Sequence, residues 1–431
     1  MSNLALAIQL FLQLTVILAT CRAVGWLGRR FLGQTQVVME MVAGVLLGPS
    51  LLGIVAPALQ NSLFPRELLV PGATTAVAHP SMSVLFAVSQ LGLVLYMFLV
   101  GLDFDLHVLR GRATSAGLIS AAGIAVPFAL GGLLAWTLLP RGDLFTAGVT
   151  PFTAVLFLGA AMSITAFPML ARILHEQGLS GTRMGTVALA AGSLDDAIAW
   201  CLLAVVLATF NASPSTAMLT IGGGLAYGLF MVAFGRPLLR HFQRRHERTN
   251  SLGVDSYSVL LLVLMACAAT TDAIGIYAVF GAFVAGAVMP RGGFAKALTE
   301  RTELLTTSLL LPIFFVYSGL NTKIGLVNSL ELWWITGLVV ILAVAGKGLA
   351  CALAARAAGE SWRSSAVIGT LMNARGLMEL ILLNVGLEHG VITPTLFTIL
   401  VLMAVVTTLM ASPIYTLLSA GPGQAPAAGS R

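Results

Sequence analysis

Charge is what this chain has least of. Its 431 residues include only 23 basic and 17 acidic side chains, 9% of the total, where an ordinary soluble domain carries roughly a quarter. So few charges cannot coat a soluble surface of this size, which excludes a cytosolic enzyme and a disordered tail protein. Cysteine is also scarce. Cys21, Cys201, Cys267 and Cys351 sit in separate apolar stretches with no Cys-x-x-Cys or Cys/His spacing, so neither a disulfide scaffold nor a zinc site is implied. Met1 to Thr20 lacks the positive start of a secretory leader and reads as an uncleaved first helix. The six histidines lie at loops or ends of apolar stretches, and no Ser/His/Asp arrangement supports an enzyme.

What is abundant is apolar length. Hydrophobic residues make up 58% of the chain and the mean hydropathy is +0.95, which predicts an all-α polytopic membrane protein in a lipid bilayer. A bilayer core of about 30 Å needs roughly 20 apolar residues per helix. Cutting at glycine, proline and charge gives thirteen candidate stretches: 5–28, 36–54, 83–101, 114–139, 149–170, 183–209, 215–236, 254–271, 273–290, 303–320, 330–356, 363–387 and 392–418. Only Thr270-Thr271-Asp272 divides the eighth from the ninth, so twelve is the alternative count.

Loop charge tests the cuts independently, because Lys and Arg favour cytoplasmic loops. The odd-numbered loops, with generous ends, hold 16 basic residues, against three (Arg66, Arg141 and Lys323) in the even-numbered ones. The pattern predicts a cell-membrane protein with its N-terminus outside and its C-terminus in the cytoplasm. The net charge of +6 is therefore read as topology, and no nucleic-acid partner is expected. Residues 421–431 read as a disordered Ala/Gly/Pro-rich tail. An odd helix count suits two six-helix repeats of inverted topology joined by the seventh stretch, which sets the fifth opposite the twelfth and the sixth opposite the thirteenth.

Each charge at the bilayer centre costs about 2.5–3.5 kcal/mol on insertion scales and so needs a reason. The set within the stretches is Glu40, Asp195, Asp196, Lys347, Arg375 and Glu379, with Asp272 at a boundary. Two adjacent acids in mid-helix point about 100° apart and cannot easily share a partner. A like-charged neighbour and burial both favour the protonated form, which allows a carboxylate to exchange a proton for a cation. Lys347 is the natural counter-ion for one of the pair. Interrupted helices are the other ingredient of a cation site. Ser163-Ile164-Thr165-Ala166-Phe167-Pro168 breaks the fifth stretch, offering hydroxyls from Ser163 and Thr165, and Asn373-Ala374-Arg375-Gly376 breaks its counterpart, the twelfth.

These residues resemble the monovalent cation:proton antiporter-2 family of the sodium/proton exchanger group. The similar strings include EMVAGVLLGPSLLG from Glu40, SITAFPMLARIL from Ser163, DDAIAW from Asp195, TDAIGIYAVFGAFVAGAVMP from Thr271, PIFFVYSGLNT from Pro312 and NARGLMELILLNVG from Asn373. The resemblance implies a homodimer working as an elevator. In it, dimerisation helices at about 5–101 and 254–320 hold core helices at about 114–209 and 330–418, with a linker at about 215–236. Crossed, discontinuous helices flank the ion site. It also implies that Asp196 binds the cation or proton, that Asp195 pairs with Lys347, and that Ser163 and Thr165 form the first break. Asn373, Arg375 and Glu379 support the second, and Glu40 falls in the second-helix motif, where an ion pair with Arg375 is one option. The Asp-Asp pair with a membrane lysine resembles sodium exchangers, whereas the strings around Arg375 and Asp272 resemble potassium exchangers, so both ions stand.

The expected function is therefore secondary antiport of Na⁺ or K⁺ against protons, with no cofactor. Breaking the Asp195–Lys347 pair would yield a second proton and make the exchange electrogenic. A sodium-coupled organic-anion symporter is the alternative, and a membrane sensor or channel subunit without turnover is less favoured.

Overall fold

The computed structural model describes residues 2–34, 36–68, 77–103, 113–177, 179, 182–210, 214–249, 252–275 and 277–419. The tail at 421–431 and the loop arginines Arg110 and Arg112 lie outside these residues. The described chain is mainly helical, with one antiparallel ladder, Glu67–Leu68 with Val77–Ala78, and an isolated antiparallel bridge between Phe145 and Ile392. All thirteen apolar stretches contain helix. Among the described residues nine helices are long and apolar enough to cross a membrane, while Pro151–Ser163 and Ala278–Ala287 are shorter apolar helices. The chain forms two compact units. One is Met1–Ala19, Ala56–Asp105 and Leu207–Tyr317, and the other is Thr20–Val55, Leu106–Val206 and Ser318–Arg431.

The first unit shows how small residues replace the hydrophobic effect between helices in lipid, where close van der Waals packing drives association. Gly101, near the end of the Pro80–Asp103 helix, faces Gly286 of Ala278–Ala287 so closely that a Cβ on Gly286 would strike the Phe98 carbonyl. The division of the eighth and ninth stretches also lies here, later than the threonines suggested. The helix runs from Val254 through Asp272 to Ile274 and stops at Gly275, whose φ of 88° places it in the left-handed region. Gly275 donates its N–H to the Asp272 carbonyl at 2.9 Å, a common way of closing a helix end. The Thr271 hydroxyl meanwhile folds back on the carbonyls of Cys267 and Ala268, so it fits within the helix and does not break it.

The second unit holds the interrupted helices. The fifth stretch divides into Pro151–Ser163 and Phe167–Glu176, and the twelfth into Trp362–Met372 and Leu377–Glu388. Pro168 lacks the N–H that would bond back to Ile164, and its fixed φ suits a first helical turn, so the fifth stretch restarts there. The eleventh stretch is continuous but contains a π-helical segment, Val344–Leu349, with Lys347 inside it. Single π turns widen a helix and recur at functional positions. Two long helices carry an internal proline, Pro127 in Ala113–Leu138 and Pro413 in Pro394–Ser419.

The glycine contact of the first unit leads to a test. Gly286→Val is expected to overpack that contact and destabilise the protein by about 1–3 kcal/mol, lowering the thermal unfolding midpoint in detergent. Gly117→Ala, whose new methyl would meet nothing within 4 Å, should hold or raise it.

Candidate functional site

The two breaks lie against each other. The Ala166 N–H donates to the Ala374 carbonyl at 3.1 Å, and the Thr165 hydroxyl lies 3.3 Å from the Met372 carbonyl. Thr408, on the Pro394–Ser419 helix, clamps the second break, since its hydroxyl accepts from Arg375 N–H at 3.1 Å and reaches the Arg375 carbonyl at 2.8 Å.

A helix that ends inside the membrane leaves carbonyls without amide partners. At the end of Pro151–Ser163 they are met by two buried cations. Arg375 donates through Nη1 to Ala161 O at 2.8 Å and through Nη2 to Met162 O at 2.5 Å. Lys347 Nζ donates to Ser163 O. Both charges thus stand at the negative end of that half-helix's dipole. The second break is treated differently, because the Ala374 carbonyl receives the Ala166 amide and the Arg375 carbonyl lies 2.8 Å from the Thr408 hydroxyl, both neutral groups.

Lys347 also pairs with Asp195, Nζ to Oδ2 at 2.9 Å, with both side chains fully buried. Its third acceptor is the Gly123 carbonyl at 2.9 Å. That carbonyl is free for a physical reason: Pro127, four residues on, has no N–H to occupy it. An ammonium has three donors, and Lys347 uses all of them. Asp195 Oδ2 receives a second donor, the Thr165 hydroxyl at 2.7 Å, while Oδ1 has no hydrogen-bond partner among the described residues. Asp196 is the next residue of the Arg183–Phe210 helix and is 0% exposed.

The structure therefore brings Thr165, Asp195 and Lys347 into one hydrogen-bonded group, with Ser163 joined through its carbonyl. The Ser163 hydroxyl is turned onto Ala160 O of its own helix at 3.0 Å, so its contribution is the backbone and not the expected side-chain oxygen. Asn373 reaches Val344 O in the π segment at 3.3 Å. Arg375 pairs with Glu379 at 3.7 Å, and Glu40 accepts from Gln36 Nε2 at 2.9 Å. Gly123, Pro127 and Thr408 were missed from sequence. Pro127 carried a readable signal, a proline within a long apolar stretch that had to free the fourth carbonyl before it. Thr408 carried none.

The family model described as "Sodium/hydrogen exchanger, transmembrane" matches residues 14–419, and the chain belongs to that family. The Na(+)/H(+) antiporter NhaS4 of Synechocystis sp. is 41% identical over 414 residues, covering 93% of this chain and 95% of that protein. Cation/H(+) antiporter 20 of Arabidopsis thaliana is 37% identical over 417 residues, and the match spans 94% of this chain but only 48% of the relative. The solved sodium proton antiporter MjNhaP1 of Methanocaldococcus jannaschii has a TM-score of 0.63 at 14% identity, over 96% of this chain and 99% of that one. Its likeness shows the fold, that of a sodium/proton antiporter.

Removing one partner of a buried pair leaves the other charge uncompensated, at a cost of about 3–5 kcal/mol. Lys347→Met is expected to destabilise the protein by that amount in detergent unfolding. Adding Asp195→Asn should recover part of the loss, and strictly additive effects of the two changes would show that the residues do not form a functional pair.

Proposed function

We propose that this chain exchanges a monovalent cation, Na⁺ or K⁺, for protons across the cell membrane. The observation that carries the reading is the buried Asp195–Lys347 pair, joined through Thr165 and the Ser163 carbonyl to a break that bonds the other broken helix, with Asp196 the next residue after Asp195. Alkali cations are hard and take oxygen ligands. Asp195 Oδ1, the Asp196 carboxylate, the Thr165 hydroxyl and the carbonyls of the second break are oxygens of that kind. A cation entering beside Asp195 competes with Lys347 for the carboxylate, and Asp196 alternates between holding the cation and holding a proton. An inward proton gradient then drives cation efflux. With more than one proton per cation the exchange is electrogenic, and each elementary charge moved is worth about 2.3 kcal/mol per 100 mV.

The elevator reading makes the core helices at about 114–209 and 330–418 the moving element, and those at about 5–101 and 254–320 the scaffold of a homodimer. Loop charge supports an outer N-terminus and a cytoplasmic C-terminus. Exchange by carboxylates and a lysine needs no resident cofactor. The organic-anion symporter has no support at the site, because carboxylates and carbonyl oxygens suit a bare cation and repel an anion.

Asp196→Asn is expected to abolish Na⁺- or K⁺-induced pH changes in proteoliposomes, and persistent exchange would remove Asp196 from the site. In the unmodified protein protons compete for the same carboxylate. The apparent cation affinity should accordingly fall as pH falls, about tenfold per unit once the pH is below the carboxylate's own pKa, as read from the KM for Na⁺ in flux assays.

A further inference from the structure

Beside the π segment lies a cavity that cation exchange does not use. Its volume is about 490 Å³, within the range of small-molecule pockets. Three parts of the second unit enclose it: the π segment through Val344 and Gly348, the Trp362–Met372 helix and its end through Thr370 and Asn373, and the Pro394–Ser419 helix through Thr407 and Met410. Val344 and Thr407 stand at the middle of the apolar spans Leu330–Ala357 and Pro394–Leu418, which sets the cavity at mid-bilayer depth. Ile341 and Leu349 also line it and are 64% and 62% exposed, so its mouth opens to hydrocarbon. Lipid headgroups are then about 15 Å away, half of a core about 30 Å thick.

The side chains of the wall are apolar except at Thr370, Asn373 and Thr407, and these three offer acceptors. The Thr370 hydroxyl donates to Ala366 O and the Thr407 hydroxyl to Met403 O, each at 2.9 Å, so both protons are held by the threonines' own helices. Asn373 donates through Nδ2 to Val344 O at 3.3 Å. That bond fixes the orientation of the amide, because turning it over would set Oδ1 against another acceptor. Oδ1 is left without a hydrogen-bond partner among the described residues, in a residue only 6% exposed. An unsatisfied acceptor is costly at this depth. A lipid acyl chain fills space but has no proton to give it.

We propose that this cavity binds a neutral, hydrocarbon-soluble molecule carrying a hydroxyl, an alcohol or phenol, whose O–H donates to Asn373 Oδ1. An ammonium would bring a charge to the bilayer centre. An amide N–H would bring a carbonyl, for which the wall side chains hold no free hydroxyl proton. A hydroxyl adds only its own oxygen. Asn373 then joins the bound molecule, through Val344 O, to the π segment that carries Lys347.

The test is photolabelling of the full-length protein in phosphatidylcholine nanodiscs with a phenol carrying a trifluoromethyl-diazirine, read by mass spectrometry of the labelled peptides. Adducts are expected on the peptides that contain Val344, Thr370 and Met410. The competitors 4-propylphenol and 4-propyltoluene differ only in a hydroxyl replaced by a methyl group, hence in one buried hydrogen bond. The phenol should displace the label at about tenfold lower bilayer concentration. In Asn373→Leu the two competitors should become equal. Equal competition in the unmodified protein overturns the proposal, as does a preference for the phenol that survives in Asn373→Leu, or labelling spread over lipid-facing helices that neither compound displaces. Should Asn373→Leu not fold, Ala345→Phe, which puts a ring at the cavity wall, is expected to abolish the labelling, and labelling that persists there refutes the site.

Discussion

A backbone carbonyl with neither amide nor water to bond is costly in hydrocarbon, and that constraint organises the unit of this protein that holds the interrupted helices. The chain repeatedly opens its helices within the membrane and each time supplies a side chain to the carbonyl set free. Pro127 frees Gly123 O, which Lys347 takes. Pro413 frees Leu409 O, which Gln34 takes at 2.8 Å. The end of the first half-helix exposes three carbonyls, which Arg375 and Lys347 share. The two buried cations are thus bonded to the backbone before any question of transport arises.

This arrangement separates the roles of chemically similar groups. Because Lys347 and Arg375 are anchored to carbonyls, the three carboxylates around them differ in how firmly each is held. Asp195 is fixed by an ammonium and a hydroxyl. Glu379 faces the Arg375 guanidinium at 3.7 Å. Asp196 follows Asp195 on the same helix and cannot share its partner easily, since adjacent helical residues point about 100° apart. The differences arise from hydrogen-bond count and geometry.

The breaks are also tied to each other. The amide of Ala166 bonds the carbonyl of Ala374, Arg375 reaches across to Ala161 and Met162, and Thr408 grips Arg375 by both backbone groups. Helix ends joined in this way form one packed body, which suits the proposed elevator, in which the site travels with the helices that hold it. The asymmetry between them, cations at one break and neutral donors at the other, leaves the second as the less positive side for an incoming cation.

Much of this was legible in the residues alone. Apolar length and loop charge located the helical stretches, and the expense of charge in lipid singled out Asp195, Asp196, Lys347, Arg375 and Glu379, because such residues are excluded from membranes unless they act. Pro168 marked its break, since a missing N–H is a local property. Long-range pairing was not legible. Nothing local says that Ser163 turns its hydroxyl onto its own helix and offers its carbonyl to Lys347, or that Thr408 holds the second break, and the choice of Asp195 over Asp196 as the partner of Lys347 came only through the family resemblance. Gly275 ended a helix where the sequence suggested Thr270–Asp272, because a threonine hydroxyl can satisfy itself within a helix and only the backbone angle decides. Which groups had to be buried followed from the one-dimensional cost of placing them in lipid. Their partners were decided by tertiary structure, because a hydrogen bond depends on ångström-scale distances between segments up to 375 residues apart.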